Sequence, residues 1–229
     1  MGAVLVVGGT AGLGREIAKH YADAGREVVI TGRDAGRAKE IAGELGGGVR
    51  GLGFDLARPE EIAGALADVG EVDALVLAAV DRDQNSLAEF DIEASRYLVT
   101  LKLVGYTAVV HALRSRMPAT GAILLFGGQA RIRPYPGSTT VSTVNAGVAG
   151  MVRTFAVELA PVRVNSIHPG IVGDSPFWKD KPAAVLEGFR APTLTGRLAS
   201  MAEIVGASVF LLENPSVNDV NLVVDGGWR

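Results

Sequence analysis

The sequence predicts one α/β domain over residues 1–229, a doubly wound parallel sheet flanked by helices on both faces. Three observations predict it. Short apolar runs without alternation, such as Ala3–Val7, recur along the chain and read as strands buried on both faces. Segments of helical spacing separate these runs, as in a parallel sheet. A glycine-rich turn, Gly8 to Gly14, stands between the first strand and the first helix.

The elements follow in order. After Ala3–Val7 and the glycine turn, Glu16 to Ala24 reads as a helix closed by Gly25. Glu27 to Ile30 is a second strand, and Ala35 to Leu45 is a helix ended by Gly46–Gly48. Gly51 to Phe54 is a third strand. Pro59 to Leu66 is a helix with proline at its start, where a missing N–H costs nothing. Ala74 to Ala79 is a fourth strand, and Ser86 to Met117 is mostly helical with a break near Asp91. Ala122 to Phe126 is a fifth strand. Thr140 to Leu159 carries Val144, Val148, Val152, Phe155 and Leu159 at helical spacing. Val162 to Ile167, Met201 to Glu213 and Asn221 to Val224 complete the pattern as strand, helix and strand. Gly173 to Gly196, which contains prolines and Trp178, reads as a long loop with a short helix over the sheet's C-terminal edge.

Composition narrows the class. With 22 basic and 25 acidic residues, the net charge is −3, which offers no footprint for nucleic acid or an anionic membrane. Hydrophobic residues make up 48% of the chain, enough to bury a full core. There is no cysteine, hence no disulfide framework or thiolate nucleophile. His20, His111 and His168 stand far apart, so no metal site is expected. No apolar stretch is long enough for a bilayer, and the N-terminus lacks a basic n-region. The expectation is a soluble, cytoplasmic protein.

The turn Gly8-Gly9-Thr10-Ala11-Gly12-Leu13-Gly14 carries the first chemical signal. Its glycines let a pyrophosphate approach the backbone, and the following helix offers free N–H groups and a favourable dipole. NAD enzymes usually place a carboxylate at the end of the second strand for the ribose 2′-hydroxyl. Here the segment is Thr31-Gly32-Arg33. Gly32 takes the acidic position, and Arg33 either supplies a guanidinium suited to a 2′-phosphate or is a solvated surface arginine. NADP(H) is therefore expected rather than NAD(H).

These features resemble the short-chain dehydrogenase/reductase family over nearly the whole chain, which implies a single Rossmann-like domain. The glycine loop is similar to the family's TGxxxGxG, with Val7 in place of Thr. Asp55 matches the Asp that meets the adenine, and Val164-Asn165-Ser166-Ile167-His168-Pro169-Gly170 resembles VNxIxPG, which passes the nicotinamide. Gly196-Arg197, Glu203-Ile204, Phe210-Leu211-Leu212 and Val224-Asp225-Gly226-Gly227 match the C-terminal pattern. The resemblance implies cofactor contacts from Gly8, Thr10, Ala11, Gly12, Leu13, Gly14, Arg33, Asp55, Leu56, Ala78, Ala79, Pro169, Gly170, Ile171 and Val172. It also implies a homo-oligomer, a dimer or more specifically a tetramer, built on the two long helices and the last strand. Val109, Val110, Met151 and Phe155 are the apolar residues expected on the helices' second faces.

The catalytic motifs depart from the family. NNAG reads Leu77-Ala78-Ala79-Val80. The helical Asn falls on Lys102, the Ser on Gly128, the Tyr of YxxxK on Val141 and its Lys on Asn145. Asn145-Ala146-Gly147-Val148-Ala149-Gly150-Met151-Val152-Arg153 anchors that register, and the Thr of PGxVxT falls on Asp174. Val141 cannot transfer a proton and Gly128 has no side-chain donor, so the conventional mechanism is lost. Lys102 and Asn145 have exchanged residue types relative to the family. Asn145 can accept from Lys102, and a desolvated Lys102 can serve as the proton donor. The alternative is that Lys102 fills an abandoned site or snorkels to solvent.

Other polar candidates are Gln129, Arg131, Arg133, Tyr135, Ser138, Ser142, Asp174, Trp178 and Lys179. Arg131 and Arg133 either hold an anionic substrate or are solvated loop residues. His168 is expected to be structural, and Ser142 points about 100° from the Tyr position. Three functions stay open: an oxidoreductase with a non-classical proton donor, a catalytically silent nucleotide-binding relative, and a non-redox isomerase or lyase on the same scaffold.

Overall fold

In the computed structural model, residues 1–81 and 84–229 are described. Their strands are β1 (Ala3–Val7), β2 (Val28–Gly32), β3 (Arg50–Gly53), β4 (Val72–Leu77), β5 (Ala122–Phe126), β6 (Arg163–Pro169) and β7 (Asn221–Val224). All pair in parallel, in the order β3-β2-β1-β4-β5-β6-β7. The chain winds outward from β1 to β3, then crosses back to β4 and winds the other way. The crevice beyond the C-terminal ends of β1 and β4 is thus the switch point where ligands bind in this architecture.

Strand periodicity divides the core. Leu5, Val7, Leu75, Leu77, Ile123 and Leu125 face one layer of helices: α3 (Pro59–Ala65), α5 (Tyr106–Leu113) and α6 (Thr139–Glu158). Val4, Val6, Val28, Ile30, Val76 and Leu124 face α1 (Gly12–Asp23), α2 (Ala35–Leu45) and α8 (Met201–Glu213). Each fully buried Val, Leu or Ile contributes about 1.5–3 kcal/mol of transfer free energy. Helix starts are chemically marked. The Asp34 carboxylate accepts from Arg37 N–H before α2, and Ser200 and Glu203 form a reciprocal capping box on α8.

Several boundaries differ from expectation. Helix α1 begins at Gly12, not Glu16, so the glycine turn runs directly into its first turn. Strand β4 is shifted to Val72–Leu77, leaving Ala78 and Ala79 in the loop beyond it. The long helix starts only at Ile92, as α4 (Ile92–Val99), with Asp91 as its N-cap rather than an internal break. The Asn85 side chain holds that start by donating to Asp91 O (2.8 Å) and accepting from Asp91 N–H (2.9 Å). Between α4 and α5 lies a π-helical segment, Thr100–Gly105, which periodicity did not reveal. The expected short helix over the C-terminal edge is α7 (Ala183–Arg190).

Of the apolar residues expected on the helices' second faces, only Val109 and Val110 are fully buried, while Met151 and Phe155 keep part of their surface exposed. Val109 and Val110 are buried within the chain's own core, and Met151 and Phe155 pack against it. The exposed apolar residues in this region are Val104 (48%) and Val157 (79%).

Candidate active site

The crevice opens with a backbone cradle. Gly8 (φ +84°) accepts the left-handed conformation, and an added Cβ there would lie 2.6 Å from Ala79 Cα. A Cβ on Gly14 would fall 2.3 Å from the Gly8 carbonyl oxygen. The loop is thereby packed as closely as backbone allows. No side chain caps α1 and its first turn holds no carboxylate, so the N–H groups of Gly12, Leu13 and Gly14 face an anion site without competition. These features fit a pyrophosphate.

At the adenosine end, Arg33 follows β2 and reaches across β1. Its Nη1 donates to Tyr97 Oη (3.1 Å) and to Asp81 Oδ2 (3.3 Å). Asp55 lies beyond β3, its Oδ1 accepting from Ala57 N–H (2.9 Å), and Leu56 is buried beside it. Tyr97 and Asp81 were not anticipated: only the sheet order brings the ends of β2 and β4 to the same crevice.

The π segment turns Lys102 into the protein, where 3% of its surface is exposed. Its Nζ donates to Ala79 O (3.2 Å) and Tyr106 Oη (3.0 Å), while the Tyr106 hydroxyl donates to Ala79 O (2.7 Å). The ammonium also lies 4.8 Å from the Tyr106 ring centroid. No ion pair among the described residues involves Lys102. Burial lowers its pKa to about 7, and the same burial raises that of Tyr106. The snorkelling alternative is excluded. The expected hydrogen bond from Lys102 to Asn145 is also absent among the described residues; Lys102 turns to Ala79 and Tyr106 instead. Tyr106, four residues on, is the partner a helical repeat should have suggested.

Asn145 is buried on α6 and lies against Gly128. A Cβ at Gly128 would stand 2.9 Å from Asn145 Nδ2, so the amide occupies the space that a residue-128 side chain would enter. Val141, one turn earlier, brings no polar group. The neighbouring backbone is pinned from β6. Gly128 N–H donates to His168 Nδ1 (3.1 Å), which places the imidazole proton on Nε2, near Ser166 Oγ (2.9 Å) and Asn221 Oδ1 (3.2 Å). Burial is the main cause of the His168 pKa falling to about 4, so the ring is a neutral structural post.

Among the remaining candidates, Ser138 and Ser142 bond to each other (2.9 Å), and Asp174 Oδ1 accepts from Met201 N–H at the start of α8 (2.8 Å). Tyr135 and Lys179 are exposed. Trp178 stacks edgewise on Phe177 and Phe189. Pro169 closes β6, and Gly170, Ile171 and Val172 follow it, with Gly170 N–H donating to Val224 O (3.0 Å). Among the described residues no acidic or histidine cluster could hold a metal ion, and no helix is long and apolar enough to cross a membrane.

Comparison with known proteins agrees with this architecture. A family model described as enoyl-(acyl carrier protein) reductase matches residues 8–229. The 3-oxoacyl-[acyl-carrier-protein] reductase of Bos taurus is 30% identical over 98% of this chain and 96% of its own. Carbonyl reductase family member 4 of Danio rerio is 31% identical over 98% and 97%. A solved short chain dehydrogenase/reductase family protein superposes with a TM-score of 0.87 at 32% identity, covering 98% of this chain and 96% of that one. The chain belongs to the short-chain dehydrogenase/reductase family, whose members are oxidoreductases that use NAD(P).

Proposed function

We propose that this protein is an NADP(H)-dependent oxidoreductase in which Lys102 holds the transferred proton and the Asn145 amide orients the substrate carbonyl. The buried Lys102 ammonium beside Ala79 O carries the reading. A lysine buried without a carboxylate is costly to a fold, and its proton is released near neutral pH, where a general acid works best. NADPH, when bound, supplies the hydride.

The chain's own groups do the rest. The α1 N-terminus and the Gly8–Gly14 cradle receive the pyrophosphate. Arg33 exchanges an exposed ion pair with Asp81, of little intrinsic strength, for the more highly charged 2′-phosphate. Asn145, seated over Gly128, brings a side-chain amide to within 2.9 Å of where a Cβ at that position would lie. Lys102 delivers its proton through one bridging water, since Nζ is enclosed. Assembly into a homo-oligomer and a cytoplasmic location belong to the same proposal.

The test is a screen of ketones and aldehydes followed by NADPH absorbance. With a substrate in hand, the turnover rate should fall as pH rises through about 7, because the acid must carry its proton. Lys102→Met should lower kcat by about 10²-fold or more and leave NADPH affinity unchanged. Native turnover in that variant would refute the role of Lys102. A protein that binds NADPH yet reduces nothing would favour the catalytically silent reading, which the aliphatic Val141 and side-chain-free Gly128 support.

A further inference from the structure

The turn after β5 holds two guanidinium groups that the protein does not use. Arg131 and Arg133 are half-buried, and the Nε of each is buried without a hydrogen-bond partner. No hydrogen bond or ion pair among the described residues involves either side chain. The carboxylates of neighbouring segments are committed elsewhere: Asp174 to Met201 N–H, Asp225 to Gly227 N–H, Glu187 to Arg190 and Glu203 to Arg197. Half-burial takes solvent from these cations without providing a counter-charge, which is unfavourable unless a ligand supplies one.

Their surroundings place them at the substrate end of the crevice. Gln129, just after Gly128, donates to His168 O (3.2 Å) and leaves its buried Oε1 unpartnered. Arg131 is close enough to the His168 ring for its charge to help keep that ring neutral. The Arg133 guanidinium lies 5.4 Å from the centroid of the Trp228 ring. Trp228 continues to Phe189 (6.4 Å between centroids), and Phe189 to Trp178 (5.1 Å). A guanidinium supported by an indole is oriented without spending its N–H donors, so its fork stays available to a planar oxyanion.

We infer that Arg131 and Arg133, with the shelf of Trp228, Phe189 and Trp178, form a subsite for the carboxylate of an aromatic-acid substrate. The inference rests on reading the crevice as the active site of an NADP(H)-dependent enzyme. The arginines pair with the carboxylate, the shelf covers the ring, and the unpartnered Gln129 oxygen accepts from a hydroxyl on the same molecule. The reacting carbonyl is then left to Asn145.

Calorimetry with phenylglyoxylate and its uncharged methyl ester, on protein saturated with NADP⁺, tests this. The acid should bind at least about tenfold more tightly than the ester, as a charge-assisted hydrogen bond allows. Arg131→Gln and Arg133→Gln should each weaken the acid by about tenfold and leave the ester and NADP⁺ unchanged. Arg133→Lys, which keeps the charge but not the fork, should recover only part of the loss. Equal affinity for acid and ester, no binding of the acid, or unaltered acid binding in both glutamine variants would overturn the inference. Acid binding without any NADP⁺ binding would instead refute the proposed function and leave the carboxylate subsite standing.

Discussion

Lys102 is the residue on which sequence and structure bear most directly. Its position in the chain marked it as the displaced cation, but the π segment and Tyr106 decide where its Nζ points. Its stability effect has a definite sign. The folded pKa is lowered to about 7, whereas an unfolded lysine titrates near 10.4. Between those values the unfolded chain holds a proton that the folded chain has released, so stability rises with pH. Urea unfolding of the native protein should therefore show increasing stability from pH 7 to about 9, below the range where unfolded tyrosines ionise. Lys102→Met should be the more stable protein at pH 6, with an advantage that shrinks across the same interval. A native stability independent of pH over that window would contradict a desolvated ammonium.

At the scale of elements, the π segment is locked against the loop after β3. A Cβ on Gly105 would lie 2.4 Å from the Leu56 carbonyl oxygen, a backbone atom that cannot swing aside. Gly105→Ala should therefore destabilise the protein by about 2 kcal/mol or more, since helix or loop must move. Gly150 on α6 is the control. An added Cβ there meets nothing within 4 Å, so Gly150→Ala should stabilise by about 0.5–1 kcal/mol through helix propensity. Thermal unfolding of both variants checks the contrast, and similar shifts would deny the close approach. The strands were legible because burial on both faces writes a continuous apolar run. The π segment was not: an extra residue in one turn leaves composition unchanged, and only packing against Leu56 and Ala79 rewards it.

For the whole molecule, the proposed cofactor choice rests on the ends of β2 and β4 meeting across β1, where Arg33 reaches Asp81 and Tyr97. NADPH should bind more tightly than NADH, and Arg33→Ala should remove the preference; equal affinities of the native protein by calorimetry would refute it. Because Arg33 is exposed and salt screens its attraction to the 2′-phosphate, the preference should weaken with added salt. The self-association proposed above is better served by the last strand than by the buried helix residues. Val109 and Val110 serve the core, whereas β7 is an edge strand with Val223 part-exposed and the neighbouring α8 exposes Phe210 (49%). An unpaired edge beside apolar surface favours a second copy of the chain. Light scattering at micromolar concentration should report an oligomer, and a monomer would contradict it.

The sequence alone determined the alternation of strands and helices, the glycine turn, and the absence of any titratable or hydrogen-bonding side chain at Gly32, Gly128 and Val141. Each is a local property: burial on both faces, φ > 0, or the presence of a titratable atom is written in one residue or a short run. The tertiary structure decided which atoms meet. It set Tyr97 and Asp81 on Arg33, Ala79 on Lys102, Asn145 over Gly128, and Trp228 under Arg133. Most of these contacts join segments far apart in the chain, and their geometry follows from sheet order and helix phase. No local pattern encodes either, because both arise when the two faces of one sheet are buried together.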